Sequence, residues 1–150
     1  LIFEQDRLPE TIVLTIQKEV AARVAARPPH MSMLALSVQT FGAPEIITVV
    51  PASCFFPQPK VDSAILKISG ISGDFFRKNS IEKAVFFETA RAGFSQKRKM
   101  LVNSLGTYLD DKKSASEIIE GAGIDPRARP EELSLSQWVS ITRSIAARRQ

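Results

Sequence analysis

The chain has 150 residues, 44% hydrophobic and 24% charged, with a formal net charge of +4. These are globular values, which exclude wholesale disorder, and no apolar run reaches the roughly 18 residues that suggest a membrane span. The single cysteine, Cys54, excludes an internal disulfide and a cysteine-based metal cluster, and with one histidine, His30, zinc chemistry and Cys–His or Ser–His catalysis have almost no raw material.

A lone cysteine fits a reducing cytoplasm. The first residues, Leu1-Ile2-Phe3-Glu4-Gln5-Asp6, do not read as a signal peptide, and the missing initiator Met suggests a start inside a longer protein. In chain order, β-branched residues 11–17 read as a buried strand, and residues 18–26 as an alanine-rich helix stopped by Pro28-Pro29. His30 follows in a solvated loop. Residues 33–41 read as a helix ending at Gly42, 45–50 as a second strand, 51–59 as a proline-rich loop, and 61–68 as a third strand. Residues 71–74 look like a linker.

Helical patterns follow. Asn79-x-x-Glu82 is expected to cap a helix to about Ala92, and Ser95 one to about Leu109. Ser114-x-x-Glu117 and Ser134-x-x-Gln137 read as capping boxes. Leu133 and Trp138 have hydrophobic-staple spacing, which puts Trp138 in the core. Residues 1–72 therefore read as the C-terminal part of an α/β layer, incomplete as a domain because three strands are few. Residues 73–150 read as a small all-helical domain.

Charge is unevenly placed. Residues 1–72 hold six basic and six acidic side chains, so the excess lies after Ser72. Between Glu88 and Asp110 there is no acid, while Arg91, Lys97, Arg98 and Lys99 lie there. Such a stretch is a candidate phosphate-binding surface or merely a solubilising one. In the expected first turn of a helix, Lys97, Arg98 and Lys99 would oppose the helix dipole, a conflict that a bound phosphate would resolve. The second candidate is Phe55-Phe56-Pro57-Gln58-Pro59-Lys60. Its prolines stiffen a loop carrying two aromatics beside a cation, which suits stacking on a base and contacting its phosphate. Equally, the rings can plug the gap under the loop; one inside and one exposed reconciles the two.

Phe55-Phe56-Pro57-Gln58-Pro59-Lys60-Val61-Asp62-Ser63 resembles the Phe-x-Pro-x-Pro-Lys-Val-(Asp/Asn)-Ser motif of RNA adenine N6-methyltransferases. Gly93-Phe94-Ser95-Gln96-Lys97-Arg98-Lys99 with Asn103-Ser104-Leu105 resembles a signature of the small-subunit rRNA adenine dimethyltransferases. Gln17-Lys18-Glu19-Val20-Ala21-x-Arg23 matches a strand-to-helix segment of that family; Leu36-Ser37-Val38-Gln39 and Gly123-Ile124-Asp125-Pro126 are weaker matches.

The resemblance implies a Rossmann-like methyltransferase domain followed by a helical rRNA-binding domain. The implied reaction transfers methyl groups from S-adenosylmethionine to N6 of two adjacent adenines near the 3′ end of small-subunit rRNA. Phe55 inherits the stacking role on the flipped adenine. Lys60, Arg91, Gln96, Lys97, Arg98 and Lys99 are the expected RNA contacts. The family's glycine-rich cofactor loop and its Asn-(Leu/Ile)-Pro-(Tyr/Phe) motif have no counterpart in this sequence, so the isolated chain is expected to lack the donor site and to be inactive. The expected partner is small-subunit rRNA or its ribosomal precursor, with no membrane, no metal and a monomeric state. A non-catalytic RNA-binding or ribosome-assembly module is the alternative. A methyltransferase of the antibiotic-resistance type is disfavoured by the Gln96–Leu105 segment.

Overall fold

The computed structural model describes residues 8–96 and 98–148. These form two compact units, residues 8–26 with 34–75, and residues 27–33 with 76–148.

The first unit is built on β1 (Thr11–Gln17), β2 (Ala43–Val50) and β3 (Ser63–Ser69), with α1 (Lys18–Val24) and α2 (Met33–Gln39) between the first two strands. Among the described residues the sheet order is β1-β3-β2, and β3 pairs antiparallel with both neighbours. Every second residue of β3 is buried, and Ala64, Leu66 and Ile68 pack with Ala21, Val24, Val38 and Ile71. Strand periodicity thus writes the core directly. The second strand starts at Ala43, earlier than the sequence suggests. Pro44 is tolerated because β2 is an edge strand, where a missing N–H can face away from the ladder. A bulge between Ile46 and Thr48 leaves Ile47 exposed. The third strand begins at Ser63 rather than Val61, because Asp62 is held by other partners. Its carbonyl accepts the Lys18 N–H at 3.0 Å. The Gln39 side-chain amide donates to the carbonyls of Val24 and Ala26, both at 2.8 Å, satisfying the end of α1.

The second unit contains α4 (Lys83–Gly93), α5 (Leu101–Leu109), α6 (Lys112–Gly121) and α7 (Leu135–Arg148), preceded by α3 (Asp74–Lys78), which overlaps the division between the units. The segment 27–33 groups with these helices, and its Met31 N–H donates to the Glu131 carbonyl at 2.9 Å. His30 is exposed, as expected.

Three expected helix starts differ. The linker reading fails at Asp74, whose N–H donates to Ser72 Oγ at 3.0 Å as α3 opens. Asn79 lies beyond the end of α3, with its carbonyl taken by the Arg143 guanidinium. The cap position of α4 is therefore Glu82, without a side-chain cap bond. Ser95 closes α4 rather than opening α5, since its hydroxyl donates to the Ala92 carbonyl at 2.7 Å. Asp111, not Ser114, caps α6, accepting the N–H groups of Lys113 and Ser114. The Ser114 hydroxyl donates to that carboxylate and, ahead of the backbone bonds, holds its pKa below the usual carboxylate range. The Ser134–Gln137 capping box is present as expected. The Gln137 N–H donates to Ser134 Oγ at 3.3 Å, and the Ser134 N–H to Gln137 Oε1 at 2.9 Å.

Trp138 is fully buried, as the staple spacing suggests. Its ring stacks on Phe94 at 5.5 Å between centroids. Gly93 makes room for it: a Cβ there would lie 2.5 Å from Trp138 Cη2 and 2.9 Å from Leu101 Cδ1. Replacing Gly93 with Ala should therefore destabilise the helical unit by about 1–3 kcal/mol, the usual cost of overpacking. Urea denaturation of the full-length protein measures this; an unchanged midpoint for the helical unit would contradict the packing account.

Candidate nucleic-acid interface

The first candidate surface is the loop between β2 and β3, within the sheet-bearing unit. Its backbone is folded rather than slack. Residues Ala52–Cys54 form a 3-10 turn, with the Cys54 N–H on the Pro51 carbonyl at 3.0 Å and the Phe55 N–H on the Ala52 carbonyl at 3.2 Å. Asp62 anchors both ends. Its carboxylate accepts the Ala52 N–H at 3.1 Å and lies 3.7 Å from Lys18 Nζ. The ion pair is about half exposed and worth little by itself. The backbone bond across the loop gives the carboxylate its structural weight. Phe55 is half-buried, while Phe56 is fully exposed. Lys60 is exposed and lines a groove of about 440 Å³ with Lys18, Glu19, Ala22, Val61 and Asp62. Sequence reasoning singles out Phe55 and Lys60 as candidates but gives Asp62 no anchoring role, although it stands inside the same motif.

The second surface lies in the helical unit, along the end of α4, the following loop and α5. Arg91 is exposed in the last turn of α4, where a cation complements the helix dipole. Arg98 and Lys99 are exposed in the loop; Lys97 lies outside the described residues. Because α5 begins at Leu101 with Met100 as its cap, Arg98 and Lys99 precede the helix instead of occupying its first turn. The expected conflict with the helix dipole is therefore relieved by geometry. The backbone donor route to a phosphate also narrows, since the Leu101 N–H donates to the Ala128 carbonyl at 2.9 Å. Any anion here must be held mainly by side chains. Gln96 and Lys99 do come together, lining a groove of about 550 Å³ with Asn103, Gly106, Thr107, Asp110, Asp111 and Lys112. The last six of these are not among the site residues the sequence suggests, because the groove arises from the packing of α6 against α5, which sequence spacing does not show.

Among the described residues, no glycine-rich turn opens a long helix directly after a strand. Gly70 and Gly73 are the glycines that follow a strand and precede a helix. That helix is five residues long, and its Asp74 N–H is already bonded to Ser72. Gly42 and Gly93 are packed against core side chains. Among the described residues there is no cluster of three or more His, Cys, Asp or Glu suited to a metal, and no helix long and apolar enough to cross a membrane.

The chain is 41% identical over 134 residues to ribosomal RNA small subunit methyltransferase A of Dehalococcoides mccartyi (strain CBDB1), covering 89% of this chain and 45% of that protein. It is 37% identical over 147 residues to the protein of the same name from Moorella thermoacetica, covering 97% of this chain and 50% of that one. The chain thus spans about half the length of these relatives. In fold it resembles a dimethyladenosine transferase from Plasmodium falciparum (TM-score 0.72, 24% identity, 93% of this chain and 59% of that one). It also resembles the 23S rRNA methyltransferase ErmE (TM-score 0.69, 20% identity, 97% and 58%). The model of the ribosomal RNA adenine dimethylase family matches residues 1–147. By that match, the chain belongs to the ribosomal RNA adenine dimethylase family.

Proposed function

We propose that the full-length protein transfers methyl groups from S-adenosylmethionine to N6 of two adjacent adenines near the 3′ end of small-subunit rRNA. In this reading the chain carries the acceptor side, and the donor cradle is formed by residues outside it, so the chain alone is inactive. The sheet-bearing unit is part of a Rossmann-like methyltransferase domain. The helical unit docks on the rRNA of a small-subunit precursor. The protein works as a monomer in the cytoplasm.

The observation that carries this reading is the anchored loop holding a half-buried Phe55 next to exposed Lys60. An enzyme that modifies a base within folded RNA must take it out of the stack and hold it. A ring fixed on a stiff loop can do that at little ordering cost. Lys60 then meets the adjoining phosphate, and Arg91, Gln96, Lys97, Arg98 and Lys99 hold the rRNA backbone, positioning rather than reading sequence.

Replacing Phe55 with Ala in the full-length enzyme should lower kcat about 5- to 150-fold, the equivalent of the roughly 1–3 kcal/mol that base stacking contributes. Thermal unfolding should change much less. A variant that unfolds, while its folded fraction turns over normally, would show Phe55 to be core packing. Replacing Lys97, Arg98 and Lys99 together with Ala should weaken rRNA binding and flatten its salt dependence. Each lost phosphate contact removes about 0.7 (single strand) to 0.9 (duplex) from the log–log slope. An unchanged slope would remove this cluster from the interface.

A further inference from the structure

Phe56 is fully exposed, at 102% of its reference area, the aromatic among the exposed large hydrophobic residues described. Of the others, Val13 lies on β1, Ile46, Ile47 and Val49 lie on the bulged edge strand β2, Met100 caps α5, and Val61 shares the loop with Phe56. Phe56 stands on the loop pinned through Ala52 and Asp62, so its exposure is not that of a slack segment. Pro57 follows it and fixes the backbone there. The exposed neighbours are mixed: Gln58 and Lys60 are polar, while Pro57, Pro59 and Val61 are apolar but small. A lone ring in such company is a poor hydrophobic patch for a protein partner. It is a good platform for a nucleobase, because every base offers a π-face and stacking needs no apolar surround. Charge agrees. Asp62 pairs with Lys18, which leaves Lys60 without an ion-pair partner among the described residues and able to meet a phosphate of the same strand.

We propose that Phe56 stacks on a second unpaired base of the RNA substrate, a neighbour of the adenine held by Phe55. This rests on the functional reading above. The two adjacent rings differ in burial, half-buried against fully exposed, so they present different surfaces and take different bases. Phe56 does not touch the reacting atoms in this account. It is a positioning residue that holds the strand, and its effect falls on substrate binding rather than on the chemical step.

The test compares Phe56→Ala, Phe56→Tyr and Phe56→Leu in the full-length enzyme, with unmethylated small ribosomal subunits and S-adenosylmethionine. Phe56→Ala should raise the KM for subunits about 5- to 150-fold, with kcat, the KM for S-adenosylmethionine and Tm nearly unchanged. Phe56→Tyr should restore binding and Phe56→Leu should not. Three results would overturn the proposal: an unchanged subunit KM, full rescue by Leu, or a large fall in Tm on truncation. The last would show the ring to be covered by the rest of the protein. Affinity for small-subunit rRNA is measured on the same variants. A wild-type enzyme that binds rRNA without methylating it would refute the functional reading alone, and the ring would still be judged by the binding series.

Discussion

The carboxylate of Asp62 joins the two ends of the β2–β3 loop. It accepts the Ala52 N–H at the loop's start, lies against Lys18 at the head of α1, and its own carbonyl takes the Lys18 N–H. Everything proposed for the sheet-bearing unit depends on this anchor. Without it the prolines would stiffen individual residues but leave the loop free to swing as a body. With it, the half-buried Phe55, the exposed Phe56 and the exposed Lys60 are all displayed from one fixed frame. The stabilisation is modest, since the groups are partly solvated. The consequence is positional, and placing an aromatic ring accurately is what base recognition requires.

The helical unit meets a different constraint. Trp138 fills its interior, and Gly93 has to be a glycine so that the ring can lie against the end of α4. Phe94 then stacks on the same ring, and the chain leaves the helix there. The basic segment is displayed as a consequence. It emerges as a loop rather than as a helical turn, and its described members Arg98 and Lys99 are exposed. A loop before a helix frees these cations from the unfavourable dipole, so their presence calls for no compensating anion. Their case as RNA contacts now rests on the acid-free stretch and on the groove shared by Gln96, Lys99 and Asn103.

Much of the fold was legible because it is written in periodicity. The alternation along β3, the run of β1 and the Ser134–Gln137 box each announce their element locally. Boundaries failed where one local signal outcompeted another. Ser95, Asn79 and Ser114 are all plausible caps, yet Ser95 bonds backwards to Ala92, Asn79 trails α3, and Asp111 stands three residues before Ser114. The sequence suggests the candidate residues, Phe55 and the basic run, but not their supports. Asp62 as an anchor, and Thr107 and Lys112 as groove walls, follow from tertiary packing that no spacing rule encodes.

The central claim is that this chain supplies the acceptor side of an rRNA adenine dimethyltransferase. The most direct test incubates the full-length protein, and separately the 150-residue chain, with unmethylated small ribosomal subunits and labelled S-adenosylmethionine, and maps the modified nucleotides by mass spectrometry. The account predicts N6,N6-dimethyladenine at two adjacent positions near the 3′ end with the full-length protein, and none with the chain alone. Label at other nucleotides, no transfer by the full-length protein, or turnover by the chain alone would contradict it.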